Sequence, residues 1–173
     1  ESEPWQAAIA GMDLAAGDSV WVKTGASAVV KVGGTAVMHL EPDTVFTIPA
    51  DGNDGASAVR RVHLDQGSAW TTVEKLLGGD TFTVTTKDAV GGVKGTQFRT
   101  SIDPDSGETD WDMEEGKLEL ASRAGGSAVL LEDGHNFRFL RGGRPAFDRP
   151  RPARERLKGF KSRFRQRFGT ELP

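Results

Sequence analysis

Short β-like runs recur along this chain at about ten-residue intervals, each closed by a turn signal. The runs SVWVKT from Ser19, AVVKV from Ala28, AVMHL from Ala36 and VFTI from Val45 are parted by Gly25, Gly33-Gly34 and Pro42-Asp43. VRRVHL and SAWTTV follow the polar loop Ala50 to Gly55 and flank a Gln66-Gly67 turn; KLELAS, SAVLL and NFRFL close the series. Such spacing, with no long helical pattern between the runs, excludes βαβ units and predicts sheets packed on one another. The expected fold class is all-β, about eleven short strands in a β-sandwich or twisted β-helix-like body, followed by a C-terminal amphipathic α-helix. The 22 glycines support this reading, because glycine and β-branched residues both weaken helices.

Alternation within the runs names an inward set, since successive side chains on a strand face opposite ways. It comprises Val20, Val22, Val30, Val32, Met38, Leu40, Phe46, Ile48, Val62, Leu64, Phe82, Val84, Phe98, Trp111, Met113, Leu118 and Leu120. Thr81 to Thr100, TFTVTTKDAVGGVKGTQFRT, reads as two such runs joined by a glycine-rich corner at Gly91, Gly92 and Gly95. Residues 1–17 form a lead-in, where Trp5, Ile9 and Met12, spaced four and three apart, predict a short helix. Residues 18–140 form the β domain, and residues 141–173 a proline-containing link and a basic tail.

Charge divides the chain at the same place. Residues 1–140 carry 11 Lys and Arg against 22 Asp and Glu, a net of −11, and residues 141–173 carry 11 against 3, a net of +8. In the tail Leu157, Phe160, Phe164 and Phe168 recur at spacings of three, four and four, one stripe of a helix, with Arg156, Arg163 and Arg167 around it. Such a helix can dock on protein, its own body or a neighbour's, lie on an anionic membrane or other envelope polyanion, or bind nucleic acid; the acidic body opposes the last. In ETDWDMEE, Glu108, Asp110, Asp112 and Glu114 fall on one side of a strand while Trp111 and Met113 face the core. Those acids are either a charged solvent face or a docking strip for cations, most simply the basic tail or a partner's.

Catalytic and metal chemistry find little support. His39, His63 and His135 are scattered, and none stands at ligand spacing from another histidine. DPDSGE from Asp103 departs from the calcium-loop pattern and reads as a hairpin loop, and DGNDG from Asp51 as a turn. No nucleophile elbow occurs, and GGVKGT places its lysine before the second glycine, so it is not a phosphate loop. A non-enzymatic chain without cofactor or metal is expected. With no cysteine there is no disulfide framework, and no apolar run reaches 18 residues. The N-terminus, ESEPWQAAIA, lacks the pattern of a signal peptide, which leaves a cytoplasmic or a mature secreted protein open.

FTVTTKDAVGGVKGTQFRT, then a hairpin and EEGKLEL, resembles the FecR domain family. The match rests on Val93, Gly95, Thr96 and Phe98, then Glu115 and Gly116; the structural signature also takes in Gly91, Gly92 and Lys94, the last where that family more often carries arginine. LAAGDSVWVKTGASAVVKVGG and GSAWTTVEKLLGGDTFTV look like the family's opening and central parts, so the likeness spans about Leu14 to Leu140. The resemblance implies an all-β domain outside the bacterial cytoplasm, periplasmic or secreted, acting through protein contacts without catalytic residues. Some members relay signals from an outer-membrane transporter to a sigma factor. This sequence shows no transmembrane helix and no anti-sigma segment, so complete transmembrane signalling is not expected of it. The leading expectation is a scaffold or assembly subunit of the envelope, binding a protein partner or itself through strand edges and the basic tail. The alternatives are a periplasmic sensor domain of an anti-sigma-type receptor, and a glycan or polyanion binder with Trp21 and Trp70 as stacking residues. Lys94 is expected to satisfy carbonyls or an acid near the corner.

Overall fold

The computed structural model describes residues 5–50, 61–74, 82–93 and 95–152. All regular structure among them is β: β1 (Ser19–Val22), β2 (Ala28–Val32), β3 (Ala36–Leu40), β4 (Thr44–Thr47), β5 (Arg61–Val73), β6 (Phe82–Thr85), β7 (Ala89–Val93), β8 (Thr96–Ile102), β9 (Thr109–Glu115), β10 (Lys117–Ser122), β11 (Val129–Glu132), β12 (His135–Phe139) and β13 (Arg151–Pro152). The tail helix and its stripe, Leu157 to Phe168, lie outside the described residues. Residues 5–17 contain no helix; they run as coil, with a turn at Ala10–Gly11 closed by Met12 N–H donating to Ile9 O at 3.2 Å. The spacing of Trp5, Ile9 and Met12 instead leaves all three exposed.

The strands form one curled sheet of two layers joined through β5. The first layer runs β1-β4-β5-β6-β7-β10-β11, the second β2-β3-β5-β8-β9-β12-β13. β5 is a single strand of 13 residues, not two strands around a turn at Gln66-Gly67. Its first half pairs with β4 and, in parallel, with β6; from Gly67 onward it pairs with β3 and β8. Gly67 permits that change of layer: its φ is +82°, and a methyl group there would stand 2.6 Å from Thr44 Cα and 2.8 Å from Asp43 O. Only a residue without Cβ fits both the dihedral and the gap.

Gly91 and Gly92 form no corner either; they lie mid-strand in β7, and the turn before them is made at Thr86–Asp88. Thr86 builds it, its N–H donating to Ala89 O at 2.8 Å and its Oγ1 accepting Ala89 N–H at 3.1 Å. Gly91 instead leaves room across the core. A methyl group there would sit 2.6 Å from Cζ3 of Trp111 and 3.1 Å from Cδ1 of Leu118, so the β9 indole reaches the other layer at this point. Trp111 also stacks on Phe98, with ring centroids 6.1 Å apart and planes 20° from parallel.

Three of the changes of layer are gathered at one end: β7 to β8 at Gly95, β9 to β10 at Gly116, and β11 to β12 at Asp133–Gly134. Gly95, Gly116 and Gly134 have φ of +115°, +99° and +70°. Gly116 lies against Gly95 and bonds to the Asp133 side chain. A methyl group on Gly116 would meet Thr96 Cγ2 at 2.7 Å and Gly95 O at 2.8 Å; Gly116 N–H donates to Asp133 Oδ1 at 2.6 Å, and Gly134 N–H to Met113 O at 3.0 Å.

The core lies between the layers. Of the inward set, every member but Val20 is buried in one cluster with Ala69, Val73, Leu131, Phe137 and Phe139, and Val20 packs partly buried against it. The body does not end at Leu140. Leu140 N–H donates to Arg144 O at 2.8 Å, Ala146 N–H to Arg138 O at 2.9 Å, and Phe147 meets Phe137 edge-on at 6.3 Å before β13 pairs with β12.

Candidate interaction surface

Strand alternation gives the second layer two unlike faces. Met38, Leu40, Ala69, Val73, Phe98, Trp111, Met113, Phe137 and Phe139 point into the core. The residues between them must point away. Register then lines up one outward row across five strands: His39 opposite Trp70, Trp70 opposite Arg99, Arg99 opposite Asp112, Asp112 opposite Asn136. The row is not a solvated face. Trp70 is 0% exposed, Asp112 2%, Asn136 5% and His39 7%, yet Trp70 is no member of the core cluster. Burial pushes the His39 ring pKa down, so the neutral imidazole is favoured there.

Next to this row Asp110 of β9, with Glu108 just before the strand, already has a cation. Arg138 on β12 forks onto Asp110, Nε to Oδ1 at 3.0 Å and Nη2 to Oδ2 at 2.9 Å, and its Nη1 donates to Glu108 at 3.1 Å. This bidentate geometry suits a planar guanidinium, and the Asp110 bond raises the Arg138 pKa further. Asn136 Nδ2 donates to Asp110 Oδ1 at 3.2 Å, Asp112 Oδ1 at 3.0 Å and Trp111 O at 3.2 Å. Arg99 Nη2 reaches Glu41 Oε2 and Ser68 Oγ, both at 2.9 Å. A buried carboxylate needs such partners, because desolvating it alone is costly.

The picture of a charged solvent face therefore fails at Asp110 and Asp112, which are buried among hydrogen bonds. The alternation of NFRFL, with Phe137 and Phe139 inward, places Asn136 and Arg138 on the acids' side, and the pairing of β12 with β9 makes Arg138 the partner of Asp110. Replacing Arg138 with Met should lower stability by about 1–2 kcal/mol. This is the low end for a charge-assisted bond, because the side chain is 34% exposed, and a shifted urea midpoint would report it.

The other singled-out residues fall as follows. Glu114 lies on the same strand as Asp112, and Gly92 and Val93 on β7, Val93 in the core. Lys94, the tail residues Arg156, Leu157, Phe160, Arg163, Phe164, Arg167 and Phe168, and the loop at Asp51 lie outside the described residues. Trp21 is 48% exposed, with Trp5 edge-on at 5.9 Å and Lys23 Nζ 5.3 Å from its ring centroid. Asp103 is used by its own hairpin loop: Oδ1 accepts Ser106 N–H at 2.7 Å, Ser106 Oγ–H at 2.9 Å and Asp105 N–H at 3.1 Å, which lowers its pKa. No helix among the described residues is long and apolar enough to cross a membrane.

The corner at Gly95, Thr96 and Gly116 bears directly on kinship, because a sequence model of the FecR protein family matches residues 18–119, which contain the whole of it. The chain belongs to the FecR family. Within the span that the FecR model matches, Gly116 is seated on Thr96 and Gly95 where the chain passes between layers. Two crystal structures of a protein from Parabacteroides distasonis, provisionally assigned as an anti-sigma factor, share this FecR fold. One is 20% identical with a TM-score of 0.66, covering 83% of this chain and 65% of that one. The other is 19% identical with a TM-score of 0.66, covering 83% and 64%. This FecR chain thus spans less than two thirds of their length. No curated protein matches it in sequence.

Proposed function

We propose that this chain is a non-catalytic, protein-binding FecR domain on the outer side of a bacterial cytoplasmic membrane, serving as the sensing or regulatory part of an anti-sigma-type signalling system. The observation that carries the reading is FecR membership over residues 18–119, on a fold shared with a protein provisionally assigned as an anti-sigma factor. The test is to overproduce the chain, exported from the cytoplasm, in its own bacterium and read the transcriptome. A change confined to genes under one alternative sigma factor is the expected result. Unaltered sigma-controlled transcription would remove the reading.

The envelope scaffold stands second, favoured by two apolar side chains on outermost strands. Val29 on β2 is 54% exposed and Leu130 on β11 52% exposed, and among the described residues each strand pairs on one side only. Such edges can accept a further strand. Loss of a captured envelope partner on replacing Val29 or Leu130 with Lys, without any transcriptional effect, would favour it.

A further inference from the structure

We propose that the end of the two-layered sheet opposite the glycine corners rests on an anionic phospholipid bilayer, with loop cations at the phosphates and the indoles of Trp5 and Trp21 among the headgroups. This contact depends on the placement given above only for its setting beside a membrane. In the first layer β4 is antiparallel to β1 and β5, β6 runs parallel to β5, and β7 is antiparallel to β6 and β10. β1, β6 and β10 therefore all run toward one end, and an exposed cation follows each: Lys23, Lys87 and Arg123. The turn after β12 joins the last two. Gly142 N–H donates to Asp88 Oδ1 at 3.0 Å, Ser122 Oγ–H to Gly143 O at 2.6 Å and Arg123 N–H to Asp88 O at 2.9 Å, which brings Arg141 and Arg144 to the same loops.

Two independent features of this end fit a lipid surface. The first is positive charge without a partner. Arg99, Lys117 and Arg138 hold carboxylates at 2.9 to 3.1 Å, whereas Lys23, Lys87, Arg123, Arg141 and Arg144 form no ion pair among the described residues. The acids nearby are engaged locally. Asp88 is buried and bonded to the β12 turn, Asp43 accepts Thr24 Oγ1–H at 2.6 Å, and Asp103 holds Ser106 of its own loop, which leaves Asp105 exposed beside five cations. The second feature is the pair of indoles on the β1 side. Trp21 is 48% exposed and Trp5 62%, the two meet edge-on at 5.9 Å, and Lys23 Nζ lies 5.3 Å from the Trp21 ring centroid. An exposed indole beside an ammonium suits the headgroup region, where the ring finds acyl chain on one side and the charge finds phosphate on the other. From β1 to β10 there are five strand spacings, about 24 Å along the curled sheet. Cations spread over that width do not converge on one small anion, but each can meet a phosphate of a continuous anionic surface.

The experiment floats the full chain with vesicles of phosphatidylcholine, alone or mixed with phosphatidylglycerol. Binding to the anionic vesicles only is expected, and it should fall away at about 1 M salt, where the screening length is about 3 Å. Lys87→Glu with Arg144→Glu, at two exposed side chains, should weaken it at least about tenfold with the urea midpoint unchanged. In a second arm, lipids brominated near the headgroup should quench the emission of the bound chain. That quenching should vanish in Trp5→Phe with Trp21→Phe, since Trp70 and Trp111 are 0% exposed. Equal or absent binding to the two vesicles, binding that survives the charge reversal, or quenching that is absent or indifferent to the phenylalanine pair overturns the contact. So does a chain that ignores vesicles at low salt yet is held on immobilised polyglutamate and released by the same charge reversal, because the end then fits an acidic protein. None of these readouts passes through sigma-controlled transcription, so the signalling role and the lipid contact fail separately.

Discussion

Gly116→Val should unfold this protein at room temperature or bring it close to doing so. Gly116 has φ of +99°, where an L side chain is strained by about 1–3 kcal/mol. The added carbon would also stand 2.8 Å from a backbone oxygen, Gly95 O, which cannot rotate aside as a side chain would. Displacing that backbone adds about 1–3 kcal/mol of overpacking and pulls on the hydrogen bond from Gly116 N–H to Asp133. Together the loss is about 4 kcal/mol, a large share of the roughly 5–15 kcal/mol that holds a domain folded. Gly125→Val is the control: its φ is +95° but nothing lies within 4 Å, so strain acts there alone. The difference in urea midpoint between the two isolates the contact between corners; equal midpoints would mean that the corners do not bear on each other.

Trp111→Ala should cost about 3–5 kcal/mol, the range for emptying a fully buried aromatic site. The more informative variant is its partner. Gly91→Ala places a methyl group 2.6 Å from the indole at a residue whose φ is not positive, so sterics alone act, for about 1–3 kcal/mol. With Trp111 shortened to Leu, the same Gly91→Ala change should cost little or become stabilising, since it refills emptied space. The double-mutant cycle should therefore show coupling above about 1 kcal/mol by thermal or urea unfolding. Additive losses would refute the close approach of β7 and β9.

These two contacts mark the limit of what alternation reveals. The period of two placed sixteen of the seventeen expected core residues in the cluster, because it depends only on the pleat of each strand. Which strands share a layer depends on pairings far apart in sequence, and the glycines concerned were read differently from sequence. Gly67 looked like a turn and is a crossing inside one strand; Gly91 looked like a corner and is a clearance for Trp111. A glycine reports that a Cβ is unwelcome, without saying whether a dihedral or a neighbour is the cause. Trp70 is the same problem in another form. SAWTTV alternates plainly, but large aromatics are expected inside, and only the register with Arg99 and His39 reveals that its side chain faces outward. The acids of β9 were legible as a set, whereas Arg138 belongs to them only because β12 lies beside β9.

β5 sets an order on how the chain can be completed as it emerges from the ribosome or a translocation pore. When Val73 has emerged, β3 and β4 can already lie along one side of β5, but the other side waits for β6 and β8. Until Ile102 has followed, the longest strand of the protein presents an open edge through both layers at once. A nascent chain stalled in that interval exposes the pairing surface that aggregation uses, and chaperone protection matters most there.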